Sequence, residues 1–105
     1  MSIFANTPTP PYYAVIFTSL KIEEDKGYDK MAQRMLELAS LQDGFLGVES
    51  AREELGITVS YWANEEAIVK WKTNLEHLGA QKRGQELWYK QYKIRVCKVQ
   101  RDYEF

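Results

Sequence analysis

Residues 56–71 read Gly56-Ile57-Thr58-Val59-Ser60-Tyr61-Trp62-Ala63-Asn64-Glu65-Glu66-Ala67-Ile68-Val69-Lys70-Trp71, and the change of period inside them decides the fold. Ile57 to Trp62 is β-branched and aromatic, which predicts a strand over 57–62. Asn64 is a good N-cap, and Glu65 and Glu66 put negative charge at the positive end of a helix dipole. Ala67, Ile68, Trp71, Leu75 and Leu78 then share one helical face, so a helix is predicted over 65–83, weakened or ended by Gly79 and Gly84.

Working outward, Phe45 to Arg52 is a strand candidate joined to the first by Glu53-Glu54-Leu55-Gly56, a connection short enough for an antiparallel hairpin. Before it, Tyr28, Met31, Ala32, Met35, Leu38 and Ala39 recur at helical spacing, which predicts a helix over 26–41 stopped by Asp43-Gly44. Tyr12 to Leu20 is apolar with little alternation, the pattern of a central strand over 12–20. Downstream, Glu86 to Gln91 suits a last turn, and Ile94, Val96, Cys97 and Val99 mark a strand over 92–99. The order β-α-β, β-α-β is the split plan of the ferredoxin-like α+β fold. Right-handed crossovers place both helices on one face of a four-stranded antiparallel sheet. The other face is left bare, and its apolar residues call for a sheet-to-sheet homodimer. All three prolines, Pro8, Pro10 and Pro11, fall in residues 1–11, read as an extended N-terminal arm, free to cross onto a partner, before a single domain over 12–105.

The composition excludes several classes. A chain of 105 residues has room for one core and one site. One cysteine, Cys97, makes no internal disulfide, and with one histidine the chain offers too few soft ligands for a Cys/His zinc site. Its 14 basic and 15 acidic residues give no electrostatic case for nucleic acid. The charge is polarised, however. Residues 22–76 hold twelve acids and six bases, and residues 77–105 three acids and seven bases, which a solvated helix face and a basic last strand explain more simply than an anion site. No stretch has the ~20 apolar residues that span a bilayer, and a cytoplasmic setting is expected. Gly44 and Gly47 lie at the entry of a strand rather than at a helix start, so no phosphate loop and no nucleotide or flavin cofactor is suggested.

The segment 56–71, with its strand-end Trp62, polar cap, Glu-Ala pair and second tryptophan Trp71, resembles the antibiotic biosynthesis monooxygenase (ABM) domains of the dimeric α/β-barrel superfamily. Glu76-His77-Leu78-Gly79-Ala80-Gln81, Trp88-Tyr89 and Arg95 to Tyr103 extend the likeness over about residues 12–103. The resemblance implies one of two activities. Some ABM domains are cofactor-free oxygenases of polycyclic phenols. Others degrade heme with a first-strand asparagine, the helix tryptophan and a histidine ten residues after it. Here that position is Gln81, His77 stands six residues after Trp71, and the first strand has no asparagine, so heme binding loses its central ligand. The expectation is a cofactor-independent monooxygenase acting on a small aromatic or quinol-type substrate. The alternative is a non-catalytic small-ligand-binding or stress-related dimer.

A cofactor-free oxygenase requires a base, a donor or two and an aromatic-lined cavity. His77 is the candidate base, since its ordinary pKa alone lies near neutrality; a helix-end histidine satisfying carbonyls is the bland reading. Trp71 is read either as a pocket wall with an N–H donor or as a core residue, and Trp62 as a lining of the same cavity or a core cap. Gln81 orients a ligand or faces solvent. Tyr92 and Ile94 fall on one strand face and Arg95 and Cys97 on the other, so only one pair points at the helices. Arg95 suits an interface or surface ion pair, and Cys97 and the stripe of Met31 and Met35 suit the core.

Overall fold

The computed structural model describes residues 3–22, 27–77 and 88–105, the side chain of His77 excepted. Six elements follow in the order β1 (Tyr12–Lys21), α1 (Tyr28–Ser40), β2 (Phe45–Arg52), β3 (Leu55–Trp62), α2 (Glu65–His77) and β4 (Tyr89–Val99). The sheet order is β2-β3-β1-β4, antiparallel throughout, with β1 in the interior as its unbroken apolar run requires. This is the split β-α-β arrangement expected for a ferredoxin-like domain. Among the described residues no helix is long and apolar enough to cross a membrane.

The registers sort the side chains by face. Tyr13 is opposite Trp62, Phe17 opposite Thr58 and Ser19 opposite Gly56, while on the other side of β1 Phe17 is opposite Ile94 and Ser19 opposite Tyr92. Trp62 stacks on Trp71 of α2, so this whole set faces the helices. Ile16, Thr18, Leu20, Leu55, Ile57, Val59, Arg95 and Cys97 have the opposite parity and lie on the helix-free face. There Leu20, Leu55 and Ile57 are 37%, 48% and 42% exposed.

Both helices bury the stripes their periodicity predicts. In α1 the predicted positions Tyr28, Met31, Ala32, Met35, Leu38 and Ala39 are the ones withdrawn from solvent, with Ala39 buried. In α2 the Asn64 Oδ1 accepts the Ala67 N–H at 2.8 Å, the geometry of an N-cap. Gly44 sets how closely that helix approaches: its φ is +85°, and a β-carbon on it would lie 2.8 Å from the Ala67 Cβ. Its carbonyl also accepts the Ala63 N–H at 2.8 Å, tying the entry of β2 to the start of α2.

Several boundaries differ from expectation. β3 begins at Leu55, so the hairpin turn is only Glu53-Glu54. β4 begins at Tyr89 where a last turn was expected; an irregularity between Leu20 and Lys21 lets Tyr89 pair with Lys21, and the Ile22 N–H donates to the Trp88 carbonyl at 2.7 Å. α1 ends at Ser40, before the Asp43-Gly44 stop, because Leu41 and Gln42 already close the last carbonyls with tighter bonds to Leu38 and Ala39. The expected extension of α2 to 83 lies outside the described residues. Cys97, expected as core filler, is exposed because it lies on β4, an edge strand whose Ile94 and Val96, on the other face, are exposed as well.

The N-terminal arm folds back on its own chain. The Ala5 N–H donates to Glu49 Oε2 at 2.9 Å, and Gly47 leaves room for the Ala5 methyl. Thr7 donates to the Tyr12 hydroxyl at 3.1 Å, Tyr12 donates to Asp102 Oδ2 at 2.6 Å, and Tyr61 donates to Glu49 Oε1 at 2.6 Å. Tyr12 and Ala14 are thereby buried at one end of a face that is otherwise open.

Candidate functional site

The helix-covered face carries two aromatic groups at opposite ends of β1. At one end Trp62 meets Phe45 edge-on at 5.3 Å and Trp71 nearly parallel at 6.2 Å. Trp62 has no exposed surface, and its indole N–H donates to Ser60 Oγ at 2.9 Å. Trp71 keeps partial exposure. Trp62 therefore backs Trp71 and offers no open donor of its own.

At the other end Phe17 packs on Tyr89 at 5.2 Å and on Tyr92 at 5.4 Å, Tyr89 meets Tyr92 at 6.0 Å, and the Tyr28 ring of α1 stands edge-on to Tyr89 at 5.7 Å. The Tyr89 hydroxyl donates to the Tyr28 hydroxyl at 3.4 Å. Burial, and then that hydrogen bond, push the Tyr89 phenol well above its ordinary value, while Arg52 opposes the shift. Lys21 Nζ lies 4.5 Å from the Tyr28 ring centre and the Arg52 guanidinium 5.7 Å from it, so one phenol ring rests against two cations.

Arg52 reaches this place because of its hairpin partner. It is opposite Gly56, where a β-carbon would collide with the guanidinium. The side chain thus crosses over β3 and donates through Nη2 to the hydroxyl of Ser19, which is buried on β1. Its other terminal nitrogen, Nη1, is buried with no acceptor, and no carboxylate among the described residues pairs with it. A buried donor left unpaired costs about 1–3 kcal/mol, more when charged.

The expected site residues therefore divide. Trp62 and Trp71 are brought together; Tyr92 faces the helices as one of the two strand registers allowed, but in the tyrosine group. Tyr13, opposite Trp62, and Ser19, opposite Tyr92, are six residues apart on β1, about 20 Å at ~3.3 Å per residue, too far for one small ligand to touch both. His77 is the last residue of α2, which returns the chain from the tryptophan end toward the start of β4. Its side chain, and Gln81 entirely, lie outside the described residues. Lys21, Tyr28, Arg52 and Tyr89 were not anticipated as a group. One signal was present: an arginine at a strand end, across a two-residue turn from a glycine that leaves its side chain a path. Arg95 lies on the far face, where a shallow cleft of about 220 Å³ is lined by Leu20, Leu55, Gln91, Lys93 and Arg95 among others.

No family model matches the chain. The uncharacterized protein YqjZ of Bacillus subtilis is 52% identical over 103 residues, spanning 96% of this chain and 90% of YqjZ. Among solved structures, SnoaB, a cofactor-independent oxygenase from Streptomyces nogalater, aligns with a TM-score of 0.74 at 10% identity, covering 89% of this chain and 97% of SnoaB. A Nitrosomonas europaea protein assigned as an antibiotic biosynthesis monooxygenase aligns at 0.69 and 9% identity over 90% of this chain and 94% of its own. PA3566 from Pseudomonas aeruginosa aligns at 0.68 and 15% identity over 92% and 100%. At such identities these likenesses speak for the fold alone.

Proposed function

We propose, for a chain that belongs to the family of YqjZ and carries the fold of the antibiotic biosynthesis monooxygenases, a cofactor-independent oxygenation of a small electron-rich phenol or quinol. The observation that carries this reading is the closed tyrosine group on the helix side. Phe17, Tyr28, Tyr89 and Tyr92 form a site in which phenolic rings already pack, with the cations Lys21 and Arg52 beside them. Such a site favours a planar aromatic ring and the anion it forms on losing a proton.

The chemistry asks little else of the protein. His77 takes the phenol proton; an electron-rich ring carbon that bears hydrogen, ortho or para to the oxygen, forms a bond to O₂, and the peroxide takes the proton back from His77. The O–O bond of the resulting hydroperoxide breaks as that carbon loses its hydrogen, so one oxygen atom enters the quinone and the other leaves as water. The substrate supplies all four electrons that O₂ takes up. A second copy of the chain covers the helix-free face, where Leu20, Leu55, Ile57 and Cys97 are exposed, giving a sheet-to-sheet homodimer. The single thiol fits a reducing cytoplasm.

Oxygen uptake over a panel of phenols and quinols, with wild type and His77→Ala side by side, tests the reading. A substrate-dependent rate in wild type that falls by about 100-fold or more in the variant is expected, the usual size of a general-base contribution. Equal rates would remove the base. A second reading, ligand binding without chemistry, is favoured by Trp62, whose N–H is already engaged by Ser60; ligand binding with no oxygen uptake across the panel would establish it.

A further inference from the structure

We propose that the unpaired Nη1 of Arg52 is an oxyanion subsite for an ionised phenol, and that Tyr28 is its internal occupant, a phenol ring held over the subsite until a ligand displaces it. The proposal rests on the reading above for the class of ligand, but not on the oxidation. Three observations converge. The guanidinium is fixed at one nitrogen by Ser19 and made possible by the absence of a side chain at Gly56, so it is placed rather than loosely packed. Its second nitrogen is shut off from water with nothing to donate to, a costly arrangement for a structural residue. A ring beside the guanidinium is itself a phenol, that of Tyr28, with Lys21 on the same ring and its hydroxyl directed at Tyr89.

Each of these has a counterpart in a bound ligand. A planar phenol entering as the Tyr28 ring swings aside would meet the same edge of Tyr89 and the same two cations, and its ionised oxygen would accept from Nη1. The planar guanidinium is suited to this, because it stays charged and donates in a fixed direction.

The test is binding of 4-nitrophenol, which absorbs in the visible as the anion, to wild type and to Arg52→Met, Arg52→Lys and Tyr28→Leu. Wild type is expected to bind the probe and raise its ionised fraction at fixed pH. Arg52→Met should weaken binding of the anion by about 10- to 100-fold, the size of a charge-assisted hydrogen bond, while its melting temperature holds or rises because an unpaired buried cation has been removed. Arg52→Lys should recover part of the ionisation, and Tyr28→Leu should bind more tightly than wild type. Absence of binding, an ionised fraction unchanged in Arg52→Met, or loss of binding in a folded Tyr28→Leu would each overturn the proposal. Ionised probe on wild type without oxygen uptake from any phenol would leave the subsite standing and remove the oxygenase.

Discussion

Gly44→Ala should be among the most damaging single-methyl changes available to this chain, by two separable mechanisms. The φ of +85° disfavours any residue with a β-carbon by about 1–2 kcal/mol. The new methyl would also stand 2.8 Å from the Ala67 Cβ, and forcing a methyl into a packed contact costs about 1–3 kcal/mol. Together they predict a loss of about 2–5 kcal/mol, which at roughly 4–8 °C per kcal/mol lowers the melting temperature by about 10 °C or more. Ala67→Gly separates the two. Alone it should cost about 1 kcal/mol as a glycine within a helix. Combined with Gly44→Ala it removes the collision but not the backbone strain, so the double variant should lose about 2–3 kcal/mol, less than the sum of the singles. Denaturant unfolding of all four proteins at one fixed concentration measures this coupling. Additivity within ~0.5 kcal/mol would refute the collision, and a Gly44→Ala protein as stable as wild type would refute both terms.

Two further outcomes are expected. Burial, and then the hydrogen bond to Glu49, push the Tyr61 phenol up to about 12, and burial with Asp102 raises Tyr12 as well. Because the folded state holds the proton longer than the unfolded chain, whose tyrosines ionise near ~10, the stability from Tyr61 is whole below pH 10 and lost as pH rises from there to about 12. Ultraviolet titration should show late-ionising tyrosines, and Tyr61→Phe should flatten the alkaline loss of stability; complete ionisation of all seven tyrosines near pH 10 in a folded protein would contradict this. Ile57→Lys, on the exposed helix-free face, should convert a wild-type dimer to monomer in sedimentation equilibrium; a monomeric wild type would dispose of the sheet-to-sheet interface.

The parts of the fold that were legible in the sequence are those governed by local period and local capping. The stripes Met31-Met35-Leu38 and Ala67-Ile68-Trp71 needed only a 3.6-residue repeat, and Asn64 needed only its position before Glu65. Alternation put Tyr92 and Cys97 on opposite faces, but a local pattern does not say which strand is at the sheet edge, and Cys97 was misplaced because β4 is one. The start of β4 depends on an irregular pairing with Lys21, a tertiary event with no local period to reveal it. The site was harder still. A strand arginine reads as solvated; Arg52 is drawn inward by Gly56 on the neighbouring strand, by Ser19 two strands away and by a tyrosine from α1, which no single window of sequence contains.

The stacked indoles of Trp62 and Trp71 also give the molecule an optical gauge of its own. At 6.2 Å and 29° between planes their ultraviolet transitions couple, so the near-ultraviolet circular dichroism should carry a paired band that neither ring produces alone. Because one ring belongs to the sheet and the other to α2, the band reports the seating of that helix, and any ligand, partner or substitution that lifts it can be followed without a label.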